Sequence, residues 1–213
     1  MKRLMTCLFV TLWCALETAC FGGLAPPVPV TSPSSDDEQP PVVDERARVE
    51  LLTSEGSIML ALDEARAPVT ATNFLRYVDD GFFDGDDGGG PTVFHRYYSD
   101  DDLTIVQGGG ELESGATKRP LAPIELESDN GLSNLRGTIA MARTEVEDSA
   151  NSQFFINLED NQSLDVDGLY APGYAVFGEV LSGLDVAAVI ADIVEAGGKV
   201  TITDAERAAD PAR

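Results

Sequence analysis

The sequence predicts a closed antiparallel β-barrel that is capped at its ends by two α-helices. Short apolar runs typical of strands recur from residue 47 onward, and loops rich in Gly, Asp and Asn separate them. Only two segments have apolar residues at the spacing typical of a helix. Many short strands with only two helices favour a barrel.

The elements can be assigned in chain order. Pro68 suits the first turn of a helix, and Phe74 and Val78 lie at positions that share one buried face. Gly183 and the Gly197-Gly198 pair bracket the second helix. We predict helices at residues 68–78 and 184–195, and strands at residues 48–52, 57–62, 92–96, 103–107, 137–142, 153–157, 174–180 and 199–203.

Composition and charge exclude some classes of function. The chain has 213 residues, 43% of them hydrophobic, which suits one domain with appendages. Its formal net charge of -23 argues against nucleic-acid binding, because phosphates would be repelled. His95 is the one histidine and no cysteine follows residue 20, so a zinc site built from several such ligands is excluded and we expect no metal.

Residues 1–20 are typical of an export signal. Lys2 and Arg3 precede an apolar stretch at residues 4–16 that is too short to span a bilayer comfortably. Cys20 follows small residues and precedes a polar segment, which resembles a bacterial lipoprotein signal, although Glu17 occupies a place that is usually aliphatic. We predict a lipid on Cys20, with simple secretion and an uncleaved anchor as alternatives.

The predicted domain organisation follows from this signal. Residues 21–46 are rich in Pro, Ser and acidic residues and are predicted to be a disordered spacer. Residues 47–206 form the predicted folded domain, and residues 207–213 a frayed tail. We expect a monomer on the periplasmic side of a bacterial cell envelope, in contact with the membrane through its N-terminal lipid only.

Three segments of the folded part together resemble the cyclophilin family. They are residues 94–96 with 107–110 (FHR and QGGG), residues 130–144 (NGLSNLRGTIAMART), and residues 152–157 with 174–178 (SQFFIN and YAVFG). Their order is that of the family, the resemblance covers residues 49–204, and the middle segment is similar to the bacterial branch. It implies an eight-stranded antiparallel barrel with two capping helices.

The resemblance also implies peptidyl-prolyl cis-trans isomerase activity on proline-containing polypeptides, without a cofactor. Rotation about the peptide bond has a barrier of roughly 18–20 kcal/mol, because the amide must lose its resonance. An enzyme can lower this barrier by holding the proline ring and placing a hydrogen-bond donor where the twisted amide gains electron density. No nucleophile or proton shuttle is required.

Site residues follow from the same resemblance. The family's catalytic arginine falls on Arg96, its substrate-positioning glutamine on Gln107 and a residue of its proline pocket on Phe155. The resemblance also implies that seven further residues bind substrate: Ile105, Ala142, Arg143, Thr144, Gln153, Leu164 and Tyr174. From spacing alone, Arg96 could equally be a surface arginine paired with an acid, and Phe155 a plain core residue.

Strand alternation separates two further residues from this site. Phe154 precedes Phe155 on a predicted strand, so it should face the opposite side and belong to the core. His95 should point away from the side that Arg96 faces, as a structural hydrogen-bonding group.

Several positions depart from the family pattern. The segment between Arg96 and Gln107 is a few residues longer than usual, and the family's pocket phenylalanine and aromatic wall fall on Thr104 and Ser163. A shallower pocket is expected, unless Tyr97 or Tyr98 compensates. The alternatives are therefore a weakly active or inactive proline-peptide binding module or holdase in the cell envelope, and a structural envelope protein that has lost the groove.

Overall fold

The structure, a computed structural model, describes residues 46–209. These residues form eight strands and two helices, together with short 3₁₀ helices at Glu147–Ser149 and Gln162–Leu164. The strands are β1 (Arg48–Thr53), β2 (Gly56–Leu62), β3 (Thr92–Ser99), β4 (Thr104–Leu112), β5 (Thr138–Met141), β6 (Phe154–Asn157), β7 (Val176–Ser182) and β8 (Val200–Arg207). The helices are α1 (Pro68–Asp79) and α2 (Leu184–Glu195).

All strand pairs are antiparallel and close into a barrel in the order β1-β2-β7-β5-β6-β4-β3-β8. The predicted fold class is therefore confirmed. No helix within residues 46–209 has the length and apolar character needed to cross a membrane. Over the same residues, no three His, Cys, Asp or Glu side chains gather in a way that could hold a metal ion.

The hairpin of β3 and β4 is longer than predicted. Tyr98 and Ser99 pair with Ile105 and Thr104, so both strands extend to the acidic turn, which we define as residues 100–103. The inserted residues therefore lengthen a regular hairpin and form its end.

The C-terminal strand is also longer than predicted. The sequence predicts Arg207 in the frayed tail, but it is the last residue of β8 and pairs with Val49 of β1. Its guanidinium donates to both carboxylate oxygens of Asp79, at 2.6 Å each. This bidentate pair fixes Arg207 to the end of α1, and that part of the tail assignment is wrong.

The barrel interior is filled by an aromatic cluster. Phe154 lies at its centre, with ring centroids of Phe74, Phe83 and Phe94 at 5.4, 5.5 and 5.7 Å, each nearly perpendicular to its own ring. Phe74 comes from α1, so the helix caps the barrel by adding its apolar face to this cluster. Edge-to-face packing of this kind is the favoured geometry for aromatic rings.

Two glycines let β4 pass close to the neighbouring strand β6. Gly109 has a φ of +82°, and a Cβ there would lie 2.8 Å from the Phe154 ring. A Cβ on Gly110 would overlap the side chain of Gln153. The glycine run after Gln107 therefore serves the packing of Phe154 and Gln153 against β4.

A buried lysine anchors the acidic loop at residues 84–90. Lys118 is 6% exposed and donates to the Phe82 carbonyl (2.6 Å), the Gly90 carbonyl (2.8 Å) and Asp87 Oδ1 (2.7 Å). All three ammonium donors are thus used. Burial alone would raise the pKa of Asp87, but the bonds from Lys118 and Gly89 outweigh it and lower that pKa below its ordinary value.

Candidate active site

Three of the predicted site residues lie in one row across three strands. Arg96 of β3 is directly opposite Gln107 of β4, which is directly opposite Phe155 of β6. Residues directly opposite each other on paired strands point to the same face of a sheet. The register thus brings Arg96, Gln107 and Phe155 together on the outer face of the barrel.

A β-bulge at His95 turns Arg96 to that face. Phe94 is fully buried and Arg96 is exposed, although regular alternation would place residues i and i+2 on the same side. The register of β3 against β4 shifts between these two residues, which is the effect of one extra residue in β3. His95 lies between them, with Nδ1 3.3 Å from the Val93 carbonyl oxygen.

Arg96 borders a cavity of about 220 Å³, which we call the Arg96 cavity. It is smaller than the roughly 300–1,000 Å³ typical of pockets that enclose whole drug-sized ligands. Its lining consists of Arg96, Tyr98, Leu103, Ile105, Gln107, Ala142, Arg143, Phe155, Leu164, Tyr170 and Tyr174. A space of this size suits one small ring better than a large cofactor.

Apolar side chains form the floor of the Arg96 cavity. Phe155 and Leu164 are only 2% and 3% exposed, and they pack with Ile105 in a cluster that is separate from the barrel core. Phe154, the neighbour of Phe155, belongs to the core inside the barrel. Strand alternation therefore predicts correctly which of the two phenylalanines faces inward.

A second cavity of about 230 Å³ adjoins the first, and we call it the Gln153 cavity. It shares Gln107, Ala142 and Arg143 with the Arg96 cavity and adds Thr144 and Gln153. The amide of Gln107 donates to Gln153 Oε1 over 2.7 Å, so the two glutamines form the boundary between the cavities. Every residue of the domain that the sequence assigns to the site lines one of these two cavities.

Arg143 and Arg96 have different surroundings. The Nε of Arg143 donates to the Gly173 carbonyl over 2.8 Å, and its guanidinium carbon lies 4.7 Å from the centre of the Tyr174 ring. Tyr174 in turn stands edge-on to Phe155, at 5.6 Å between centroids. The Arg96 side chain makes no hydrogen bond or ion pair with any residue in the range 46–209, so its guanidinium donors border the cavity unpaired.

One wall of the Arg96 cavity differs from the sequence-based expectation. Leu103, not Thr104, fills the place beside Ile105. Thr104 is held by Asn161, whose side chain accepts the Thr104 N–H (2.8 Å) and donates to its carbonyl (2.9 Å). Alternation of Leu103, Ile105 and Gln107 along one strand face was the signal in the sequence that identifies this wall.

Tyr98 and Tyr170 complete the rim of the cavity. Neither is among the site residues predicted from the sequence, which offers Tyr98 only as a substitute for the missing aromatic wall. Each is 37% exposed and lines the Arg96 cavity. Ser163 donates to the carbonyl of Asp102 over 3.1 Å and so ties the acidic turn to the 3₁₀ helix Gln162–Leu164. The three aspartates of the acidic turn do not line the cavity, whereas Leu103 at the end of the turn does. Tyr97, by contrast, packs against the barrel core.

Comparisons with known proteins agree with this geometry. Residues 48–207 match the family model described as "Cyclophilin type peptidyl-prolyl cis-trans isomerase/CLD". The chain is 49% identical over 143 residues to peptidyl-prolyl cis-trans isomerase A of Dickeya dadantii (67% of this chain, 70% of the relative). It is 45% identical over 145 residues to the peptidyl-prolyl cis-trans isomerase of Acinetobacter baylyi (68% and 72%).

A solved structure shares the fold. The cyclophilin-type isomerase cgd2_1660 of Cryptosporidium parvum superposes with a TM-score of 0.60 at 21% identity, covering 78% of this chain and 99% of that one. The family match spans most of the chain, and the relatives are bacterial enzymes at well over 30% identity. The chain therefore belongs to the cyclophilin family of peptidyl-prolyl cis-trans isomerases.

Proposed function

We propose that this isomerase assists the folding of exported proteins by electrostatic stabilisation of a twisted X-Pro amide above the Arg96 cavity. The proline ring occupies the apolar floor formed by Phe155, Leu164 and Ile105. Arg96 donates to the amide as its resonance is lost, and Gln107 orients the substrate backbone. The observation that supports this proposal best is the row of Arg96, Gln107 and Phe155 across β3, β4 and β6.

The charge of Arg96 suits this role. A guanidinium is always protonated near neutral pH and offers a planar fork of donors. Because the Arg96 side chain makes no hydrogen bond or ion pair within residues 46–209, it can donate to the substrate without first breaking such a bond to the protein. Donors that are already in place cost no reorganisation during the reaction, which is the main source of catalysis by fixed charges.

The size of the required effect is moderate. Uncatalysed X-Pro isomerisation takes tens to hundreds of seconds. Reaching milliseconds means a lowering of the barrier by roughly 6 kcal/mol, at about 1.36 kcal/mol for each tenfold in rate. One charged donor and a fitted ring pocket can together supply this amount, since removal of a single such donor costs about 2.7–4 kcal/mol in other enzymes.

We expect the purified protein to catalyse cis-trans exchange of an Ala-Pro peptide and to accelerate a proline-limited refolding reaction. Exchange between cis and trans peaks in NMR spectra measures the first, and the slow phase of refolding measures the second. The slow phase should shorten by at least about tenfold at substoichiometric enzyme, because its uncatalysed form lasts tens of seconds or longer. Peptide-induced shifts near Phe155 without accelerated exchange would contradict the proposal and favour a binding module.

We further propose that the protein acts in a bacterial cell envelope, held to a membrane by a lipid on Cys20. The support is the sequence of residues 1–20 alone, which lie outside the described residues. Each CH₂ of an acyl chain that is buried in the membrane contributes roughly 0.8 kcal/mol to the free energy of membrane binding. Lipid attachment followed by a long polar segment would therefore hold the domain at the membrane surface without a transmembrane helix.

Lipidation is testable by expression of the full chain in a bacterium. The mature N-terminal peptide should carry acyl chains in mass spectra, and the protein should sediment with membranes. Cys20→Ala should abolish both, whereas Cys14→Ala, within the apolar stretch of the signal, should change neither. A soluble wild-type protein with an unmodified N-terminus would refute the lipid anchor.

A further inference from the structure

The acidic turn is held in a fixed conformation beside the Arg96 cavity. Oδ1 of Asp100 accepts the N–H groups of Asp102 (2.8 Å) and Leu103 (2.9 Å), and the Asp100 N–H donates to the Leu103 carbonyl (3.0 Å). Ser163 binds the turn from outside through the Asp102 carbonyl. Asp100 is therefore the residue around which the inserted turn is folded.

The second carboxylate oxygen of Asp100 holds Tyr98. The Tyr98 hydroxyl donates to Asp100 Oδ2 over 2.8 Å. This bond is the main reason why the pKa of Tyr98 is raised above its ordinary value. The N–H of Asp102 and then the Tyr98 hydroxyl lower the pKa of Asp100. Near neutral pH the pair thus consists of a protonated donor and an ionised acceptor, which is a strong form of hydrogen bond.

The Tyr98 ring contacts Arg96. The two residues are two apart beyond the bulge of β3, so both face the cavity, and the guanidinium carbon of Arg96 lies 5.6 Å from the ring centroid. A cation over the face of an aromatic ring is attracted by the ring quadrupole at distances up to about 6 Å. Within residues 46–209, Tyr98 is the one aromatic side chain that makes such a contact with Arg96.

We propose that Tyr98, held by Asp100, is a positioning residue that orients the Arg96 guanidinium for the isomerase reaction. This inference rests on the proposed function of Arg96. The inserted turn thereby gains a role: it supplies the carboxylate that fixes the ring on which the arginine rests. Tyr98 also stands in the wall of the cavity, where Thr104 and Ser163 provide no aromatic side chain.

The test compares Tyr98→Leu with Tyr98→Phe. Leucine keeps an apolar wall but has no ring face, and we expect kcat/KM to fall about 5-fold to 20-fold, mainly in kcat, because loss of the ring contact and misorientation of Arg96 act together. Phenylalanine keeps the ring but loses the hydroxyl that binds Asp100, so its kcat/KM should lie about twofold to threefold below wild type, between those of Tyr98→Leu and wild type. Activity of Tyr98→Leu equal to wild type would refute the proposal, and a Phe variant as active as wild type would refute the part assigned to Asp100.

A double-mutant cycle separates positioning from general damage to the pocket. In an Arg96→Ala background, Tyr98→Leu should change kcat/KM by less than about twofold, because no guanidinium is left to orient. Tyr170→Leu is the matched control: it removes another rim tyrosine, and its effect should be the same in both backgrounds. Equal effects of Tyr98→Leu in both backgrounds would assign Tyr98 to the wall alone and overturn the inference.

A spectroscopic measurement does not depend on activity. The Nε–H resonance of Arg96 should be shifted upfield by the ring current in wild type and in Tyr98→Phe, and should lose this shift in Tyr98→Leu. If Arg96→Ala keeps full activity, the proposed function of Arg96 fails. If Arg96→Ala is inactive while the resonance is insensitive to Tyr98, only the positioning inference fails.

Discussion

Replacement of Arg96 by alanine is expected to lower kcat/KM for an Ala-Pro peptide by about 100-fold to 1,000-fold. Removal of one fixed donor to a developing charge costs this much in other enzymes. The loss should appear in kcat more than in KM, because Arg96 is proposed to bind the twisted amide more strongly than the planar one. Line-shape or exchange NMR on the peptide measures both constants without a coupled protease.

Two variants make this result specific to Arg96. Arg96→Lys keeps the charge but loses the planar fork, so we expect a loss of about tenfold or more. Arg76→Ala removes another exposed arginine, which pairs with Asp80 just after α1 and lines neither cavity, and should leave kcat/KM unchanged. The free energy of unfolding of Arg96→Ala should change by no more than about 0.5 kcal/mol, because the Arg96 side chain is exposed and makes no hydrogen bond or ion pair within residues 46–209. An active Arg96→Ala protein would refute the proposed mechanism.

The sequence was sufficient to predict the barrel and the identity of most cavity residues. Apolar runs separated by Gly- and Asp-rich loops locate the strands, and the helix from Pro68 was predicted to within one residue of its end. Boundaries were less accurate where tertiary contacts extend a strand. Arg207 continues β8 because Asp79, far away in sequence, binds its side chain.

The direction of individual side chains at the site depends on strand register, which the sequence does not fully determine. Alternation assumes a regular strand, and the bulge at His95 breaks that assumption, so the outward direction of Arg96 could be inferred only from the family resemblance. Leu103 replaces Thr104 in the cavity wall because Asn161 holds the Thr104 backbone. The bond between Asn161 and Thr104 leaves no periodic pattern in the sequence, so only the alternation of Leu103 with Ile105 and Gln107 points to this wall.

The adjacent phenylalanines of β6 provide the clearest separation of stability from activity. Phe154→Ala should lower the free energy of unfolding by about 3–5 kcal/mol, because its ring is fully buried and contacts the rings of Phe74, Phe83 and Phe94. For a domain of this size, that loss corresponds to a fall in Tm of roughly 6–20 °C. Urea unfolding of wild type and variant measures the free energy.

Phe155→Ala should lower activity more than stability, in contrast to Phe154→Ala. Its ring borders a cavity, so fewer contacts are lost and we expect a destabilisation of about 1–3 kcal/mol. Loss of this wall should lower kcat/KM by at least about tenfold, since the proposed ring pocket loses its largest apolar side chain. The two variants are compared at a temperature where unfolding curves show both to be folded.

Phe154→Leu is the matched control for the buried position, because leucine refills part of the cavity that alanine leaves. Its destabilisation should be smaller than that of Phe154→Ala, with kcat/KM close to wild type. If Phe154→Ala and Phe155→Ala lose the same stability and the same activity, β6 does not divide core from site. The row formed by Arg96, Gln107 and Phe155 would then lose its physical basis, because it requires Phe155 to project outward from a barrel that Phe154 fills from within.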